Sequence, residues 1–430
     1  MGLFSRLKSI FAEQRASVND DRWFLSALQK SYGTKSGIYV SNDNSDAAST
    51  VFACIDILSG TLASLPLMLY QRLGEDGGKK PASNHNVYDL IHTQPNQYQT
   101  AYQFIRLMQA QVLKYGFSCA YKEMNGLNEV INLLPLKSNQ MQIGMNDQRQ
   151  IEYTYTIPKN DALGRIQQQI VIPSEYIWQV TDYMTDLVTP KSRITLARES
   201  IGLHLAAEQY GGQFFGNSAV TSSVLKHPMK LKEDARTNLK KSLAEFQTTK
   251  RFSTMVLEEG MDFQTIGLPN RDSQFLETRT FQVKEIARWF NVPLVLLGEA
   301  DKSATYASAE QFFLSFAMHT ILPWCVNWEQ TIAKDLLTPK ERKKYFAEFK
   351  MEGLMRGDLS SRYNAYKIAR EWGWMSANDI RRLENMNPLG KEGDEYLRPM
   401  NMTLAGEPIM RPEPANKEGG KNGEDGKEDV

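Results

Sequence analysis

Two helical stretches of similar length, Ile194–Phe215 and Asp272–Phe290, stand on either side of a compact segment with its own helix and strand signals. This constrains the chain more than any single motif, because the intervening segment leaves through one long helix and returns through another. In the first stretch Ile194, Ala197, Ile201, Leu205, Ala206 and Tyr210 recur at helical spacing, and Gly211 and Gly212 weaken its end. In the second, Phe275, Leu276, Val283, Ile286, Ala287 and Phe290 are the apolar positions, and Asn291, Val292 and Pro293 break it. Between them Leu231, Ala235, Leu239, Leu243 and Phe246 mark a helix over 232–248, with strand signals at Ser253–Leu257 and Phe263–Ile266.

Upstream lies a mixed block. Ser49 or Thr50 is placed to cap a helix starting at Val51, where Val51, Cys54, Ile55, Leu58, Leu62 and Leu65 form one apolar stripe. Pro66 ends it, and Leu67–Tyr70 reads as a strand. A second helix is predicted over Ala101–Lys114. Strand signals follow at Ser118–Lys122, Val130–Leu134, Gln140–Ile143, Ile151–Ile157, Ile166–Ile172 and Tyr176–Val180, with a turn at Asn125–Gly126. The block reads as an α+β domain with an antiparallel sheet. Downstream, residues 298–310 form a small polar loop. A long helical pattern, Tyr306–Leu337, carries Pro323 inside it, which should kink it. Tyr345–Phe349 reads as a strand, and residues 358–398 as short helices with Asn378 a plausible cap for the last. Residues 401–430 hold four basic and seven acidic residues among frequent Gly and Pro, the composition of a disordered tail. At the other end, residues 1–16 alternate Leu3, Phe4, Leu7, Ile10 and Phe11 with Arg6, Lys8 and Arg15. An arm docking on a neighbour fits this better than a membrane-surface helix, since only three basic residues would face lipid.

Composition removes several functions. Lys plus Arg and Asp plus Glu are 50 each over 430 residues, so the net charge is zero, without the basic excess of a nucleic-acid coat. Cys54, Cys119 and Cys325 are too far apart for a disulfide framework, which points to a reducing compartment. The longest apolar run, Ile57–Tyr70, is too short and too polar to span a bilayer, and the N-terminus lacks the pattern of a signal peptide. Gly74–Lys80 has the wrong spacing for a phosphate-binding loop and reads as a hairpin turn. His85, His92, His204, His227 and His319 are scattered, so neither a metal site nor a cofactor site is expected. Ser223 and Lys226 match Ser-x-x-Lys, a pattern short enough to arise by chance. Nothing supports catalysis, and the chain is expected not to be an enzyme. The strongest local charge bias is Lys226–Arg251, with eight basic residues against three acidic ones. It is either a solvated helix face or a contact to a partner or phosphate.

The run from 274 to 358 carries a resemblance: Gln274, Phe275, Leu276 and Glu277; Arg279; Glu285, Ile286, Ala287 and Arg288; Val292 and Pro293; Leu297 and Gly298; the Lys302–Ser303 loop; Glu310 and Gln311; Leu322 and Pro323; and Leu354 to Asp358. Val51–Leu65 before Pro66, Pro95 and Asn96, Thr100 and Phe104, the Gly116 region, and Gly393 with Asp394 agree with it. In this order the residues resemble the portal proteins of tailed double-stranded DNA phages, in the subgroup common among long, non-contractile-tailed phages. Two departures concern loops. Leu187–Ser192 lacks the glycines common before the first long helix, and Gly116 is followed by Phe117 where the family has Asn.

The resemblance implies an α+β portal fold with an α/β wing, a helical stem, a small α/β clip and a helical crown. Twelve copies usually form a ring at one capsid vertex, with the genome packed and ejected through its channel. By resemblance, residues 1–45 are an N-terminal arm, 46–195 and 291–350 the wing, 196–216 and 272–290 the stem helices, 217–271 the clip and 351–400 the crown. Loop 298–310 is similar to the tunnel loop and the helix after it to the kinked tunnel helix. The implied partners are DNA in the channel, the terminase large subunit, a head–tail adaptor and the major capsid protein. The implied location is the virion, after assembly in the host cytoplasm, with no stable membrane association. Lys302, with Ser303 and Thr305 beside it, is the candidate DNA contact of the tunnel loop. Lys230, Lys232, Arg236, Lys240 and Lys241 are the candidate partner contacts of the clip.

Overall fold

The computed structural model describes residues 34–74, 78–158, 167–216, 223–226, 237, 262–265, 271–299, 306–351, 359–384 and 386–397. Expectations for residues 1–16, for all but Thr237 of the helix over 232–248, for the strand at Ser253–Leu257 and for the tail lie outside these residues.

Helix α1 (Ser49–Ser64) buries Val51, Cys54, Ile55, Leu58 and Leu62, the stripe seen in the sequence. It starts earlier than its expected cap. A 3-10 turn, Ser45–Ala47, leads straight into it, buried Ala48 precedes the first turn, and Phe52 N donates to Ala48 O at 3.1 Å. Ser49 and Thr50 are therefore helical and cap nothing. Leu65, held extended by the following Pro66, ends the helix.

The next strand, β1 (Leu67–Leu73), turns back through β2 (Gly78–Pro81), with Leu73 opposite Gly78. This is the hairpin expected around Gly74. The other edge of β1 pairs with β13 (Tyr345–Phe349), some 270 residues away in sequence, with Leu67 opposite Phe349. Helix α2 (Asn86–His92) follows, and then α3 (Ala101–Tyr115). A reciprocal Thr100–Gln103 capping box opens α3, and Gly116 at φ 86° closes it. A Cβ on Gly116 would stand 2.6 Å from the Lys191 carbonyl carbon, so this glycine is required twice over.

The strands of the mixed block form two separate sheets, both antiparallel. In one, β3 (Phe117–Met124) is central between β4 (Val130–Leu136) and β8 (Ile177–Thr181). In the other, β6 (Ile151–Pro158) lies between β5 (Met141–Met145) and β7 (Gln167–Pro173). At the β3–β4 turn the left-handed residue is Asn128 (φ 61°), with the Asn125 side chain accepting from the Leu127 and Glu129 amides. A small ribbon of β9 (Tyr183–Met184) and β10 (Pro190–Lys191) then leads to the short helix α4 (Arg193–Leu196).

The long helices are α5 (Arg198–Gly216) and α6 (Arg271–Phe290), and α5 continues through Gly211 and Gly212. Ser223–Lys226 forms strand β11, paired antiparallel with β12 (Asp262–Thr265). After a 3-10 turn at Leu294–Leu297 come α7 (Tyr306–Phe316), a π turn (Ala317–Ile321) and α8 (Leu322–Asp335). One buried cluster joins α1, α3, α8, β1, β3 and β8 to the near ends of α5 and α6, with Trp178 and Trp328 at its centre.

The chain divides into two compact units, 1–355 and 356–430. In the second, α9 (Leu359–Glu371) precedes α10 (Ala377–Leu383). The cap of α10 is Ser376, in a capping box with Asp379. Asn378 sits inside the helix instead. Its buried amide donates to Leu389 O, Gly390 O and Asp394 and accepts from Leu389 N, so it holds the following loop.

Candidate site at the root of the paired helices

Helices α5 and α6 run antiparallel. Near their inner ends Trp289 Nε1 donates to Ser200 Oγ at 3.2 Å, and further out Arg279 lies 3.8 Å from Glu208. One arginine fastens this pair to the sheets. Arg193 Nε and Nη2 lie 2.7 and 3.3 Å from the two Asp182 carboxylate oxygens. Its Nη1 donates to Trp289 O, an unpaired carbonyl of the last turn of α6. The guanidinium also lies 5.2 Å from the Trp324 ring centre. A fork of donors on a planar cation can meet a carboxylate, a carbonyl and an aromatic face at once, which an ammonium cannot.

Helix α6 stops at Asn291, in the left-handed region at φ 55°. Pro323 explains what Asn291 does there. Proline has no N–H, so within a helix the carbonyl of His319 loses its donor. The chain widens into the π turn immediately before Pro323, and Asn291 Nδ2 donates to His319 O at 3.1 Å. In return Thr320 Oγ1 donates to Asn291 O at 2.8 Å. Two helix discontinuities thus satisfy each other: the end of α6 and the proline-induced break between α7 and α8.

A polar layer is buried between α5 and α6. His204 is 2% exposed; its Nε2 faces Glu208 Oε1 at 3.4 Å, and its Nδ1 is buried without a hydrogen-bond partner among the described residues. Burial pushes the His204 pKa down, Glu208 opposes this and Arg279 adds to it. Gln282 Oε1, on α6, is also buried without a partner among the described residues. A cleft of about 790 Å³ is lined by Lys122, Glu152, Tyr153, Glu175, Lys334 and Asp335 among others. Lys122 is already engaged there, since its Nζ donates to Asp335 O at 2.7 Å at the end of α8. Among the described residues no group of His, Cys, Asp and Glu could hold a metal ion, and no helix is long and apolar enough to cross a membrane.

The residues expected from the sequence to contact DNA, Lys302, Ser303 and Thr305, lie outside the described residues. So do Lys230, Lys232, Arg236, Lys240 and Lys241. What is described is how each segment is anchored. Gly298 (φ 80°) closes the 3-10 turn before the first segment, and Tyr306 starts the helix after it. Lys226 opposite Asp262 closes the strand pair at the base of the second. Of the root residues, Asn291 was read from the sequence only as part of the helix break at 291–293, and Arg193 was not singled out. An Asn directly after an apolar helix and before Val–Pro was the only available signal, because Asn tolerates the left-handed region.

The chain is similar to known proteins along most of its length. The profile of the family described as phage portal protein matches residues 49–385. The portal protein of Enterobacteria phage HK97 is 30% identical over 402 residues, covering 92% of each chain. The crystal structure of an HK97-family phage portal protein from Corynebacterium diphtheriae shares the fold at a TM-score of 0.54 and 13% identity, over 74% of this chain and 97% of that one. A chain from the neck of a native gene transfer agent particle, computed with C12 symmetry, does so at a TM-score of 0.51 and 18% identity, over 86% and 96%.

Proposed function

The chain belongs to the phage portal protein family, and we propose that copies of it form a closed ring at one capsid vertex through which double-stranded DNA is packed and later ejected. One observation carries this reading: the paired helices are rooted by Arg193 and Asn291 into both the α/β body and the helix leading from loop 298–310. A ring subunit needs such a junction, because a segment facing the channel and a docking module outside it must be held by one rigid frame. In this reading 46–195 and 291–350 are the wing, 196–216 and 272–290 the stem, 217–271 the clip, 351–400 the crown and 298–310 the tunnel loop. The role is architectural. It places the protein in the virion, after assembly in the host cytoplasm.

Electrostatics supports a conduit. Each lysine bound to phosphate releases counterions and adds grip, so a channel dense in Lys and Arg would hold the duplex. The net charge of zero gives the chain as a whole no such basic excess. Lys302, with Ser303 and Thr305, supplies at most one weak phosphate contact per copy. The clip, with Lys230, Lys232, Arg236, Lys240 and Lys241, presents a basic surface to the terminase large subunit during packaging and to the head–tail adaptor afterwards. Mass photometry with negative-stain imaging tests the ring. Twelve copies of 49.0 kDa give about 588 kDa and a central hole. A chain that stays monomeric under every assembly condition would remove the conduit.

A further inference from the structure

Helix α7, the π turn and the first half of α8 carry no Asp, Glu, Lys or Arg from Gln311 to Trp328. One face of this run is accounted for: Phe316, Ala317, Thr320, Ile321, Trp324, Cys325 and Trp328 are buried against the chain's own core. The opposite side is equally apolar and is not covered by the described residues of its own unit. Phe312, Phe313, Leu314 and Met318 are 44 to 50% exposed, and Val326 continues the side at 41%. Gln311 and Ser315 are exposed as well, so five consecutive residues of α7 are exposed.

An ordinary surface helix has one apolar stripe and a charged back. This one has no charged back. Phe312, Phe313 and Leu314 are successive residues, each rotated by about 100° from the last, so together they spread over more than half of the helix circumference. No single flat neighbour can cover that spread. It needs partners on two sides, and their contacting surfaces must be uncharged to match.

We propose that the outer face of this helix is a contact between copies in the ring, with Phe312, Phe313, Leu314 and Met318 wedged between the subunit's own body and the adjoining copy. The inference rests on the ring reading above and says where the ring is held. A closed cyclic ring is built from head-to-tail contacts, in which one face meets a different face of the next copy. The helix is one half of that contact, and the other half is a different surface of the same chain.

The test places the photo-crosslinking residue p-benzoylphenylalanine at Phe313, and separately at Met318, in the full-length chain. Rings isolated at the expected mass are irradiated and analysed on denaturing gels and by peptide mapping. The expected result is a ladder of covalently joined copies, with the crosslink reaching a peptide outside 306–326 of the adjoining copy. Intact rings that yield single copies only would overturn the proposal, as would a crosslink joining this helix to itself in another copy. A second arm compares Phe313→Asp and Leu314→Asp with Leu127→Asp, on the exposed β3–β4 turn. The first two should raise the fraction of unassembled chain at least tenfold with unchanged circular dichroism, and the last should leave the ring intact. Full assembly of both helix variants would refute the contact while leaving the ring itself standing. Absence of rings from the unsubstituted chain is seen by mass alone, and removes the ring reading and this contact together.

Discussion

At the scale of single residues, Asn291 does two things at once: it adopts a left-handed backbone and donates to the His319 carbonyl that Pro323 leaves without a partner. Asn291→Ala loses the hydrogen bond and puts an unfavourable residue at φ 55°, at a cost of about 2 to 3 kcal/mol. Asn291→Gly keeps the conformation, so it should cost about 1 kcal/mol from the hydrogen bond alone. Urea denaturation measures both, and equal midpoints for Ala and Gly would argue against the conformational part. His204 makes a second prediction. Its folded pKa is depressed by burial, so below the ordinary value of about 6.5 the unfolded chain binds a proton that the folded chain refuses. Its contribution is intact above that pH and is lost as pH falls through and below it. His204→Gln should flatten the stability profile between about pH 5 and 7, the window set by the ordinary histidine value. An unchanged slope in that window would place the titration elsewhere.

At the scale of elements, the junction between α3 and the ribbon before α4 depends on one glycine. Gly116→Ala meets both a left-handed φ and the Lys191 and Ser192 backbones, which cannot swing aside as a side chain could. A loss of about 2 to 4 kcal/mol is expected, with the first helix–strand layer affected most. Hydrogen exchange along α3 and β3 reads it; protection equal to the unsubstituted chain would mean the ribbon yields more easily than its packing suggests. The family-atypical Phe117 after this glycine begins β3 and packs partly buried beside Cys119, so the departure is absorbed by the sheet rather than by the turn.

At the scale of the whole molecule, a frame of packed helices and sheets anchors the ends of two segments, 227–261 and 300–305. If the clip surface docks the packaging motor, Lys240→Glu with Lys241→Glu should leave ring mass unchanged and weaken terminase docking by about tenfold or more, since close charge pairs across interfaces carry such effects. Co-sedimentation of rings with the terminase large subunit measures it. Docking and packaging at full level would assign those lysines to a solvated face.

Helix–insert–helix order, the apolar stripes of α1 and α3, the end of α1 before Pro66 and the order of motifs along 274–358 were all legible in the sequence, because each depends on residues a few positions apart. Local spacing is where helical periodicity, proline geometry and turn chemistry act. Other features needed the folded chain. The Ser49 and Asn378 caps were misplaced because a preceding 3-10 turn and a neighbouring Ser376 compete for the same role, and only packing decides between them. The pairing of β1 with β13, the division of the strands into separate sheets, the Arg193 fork and the Asn291–His319 exchange join residues far apart in sequence. Pro323 announced a missing hydrogen bond in the sequence, but which group would replace it depended on where α6 ended in space. Likewise the sequence holds no Asp, Glu, Lys or Arg from Gln311 to Trp328, but only tertiary burial separates the face packed into the chain's own core from the exposed one.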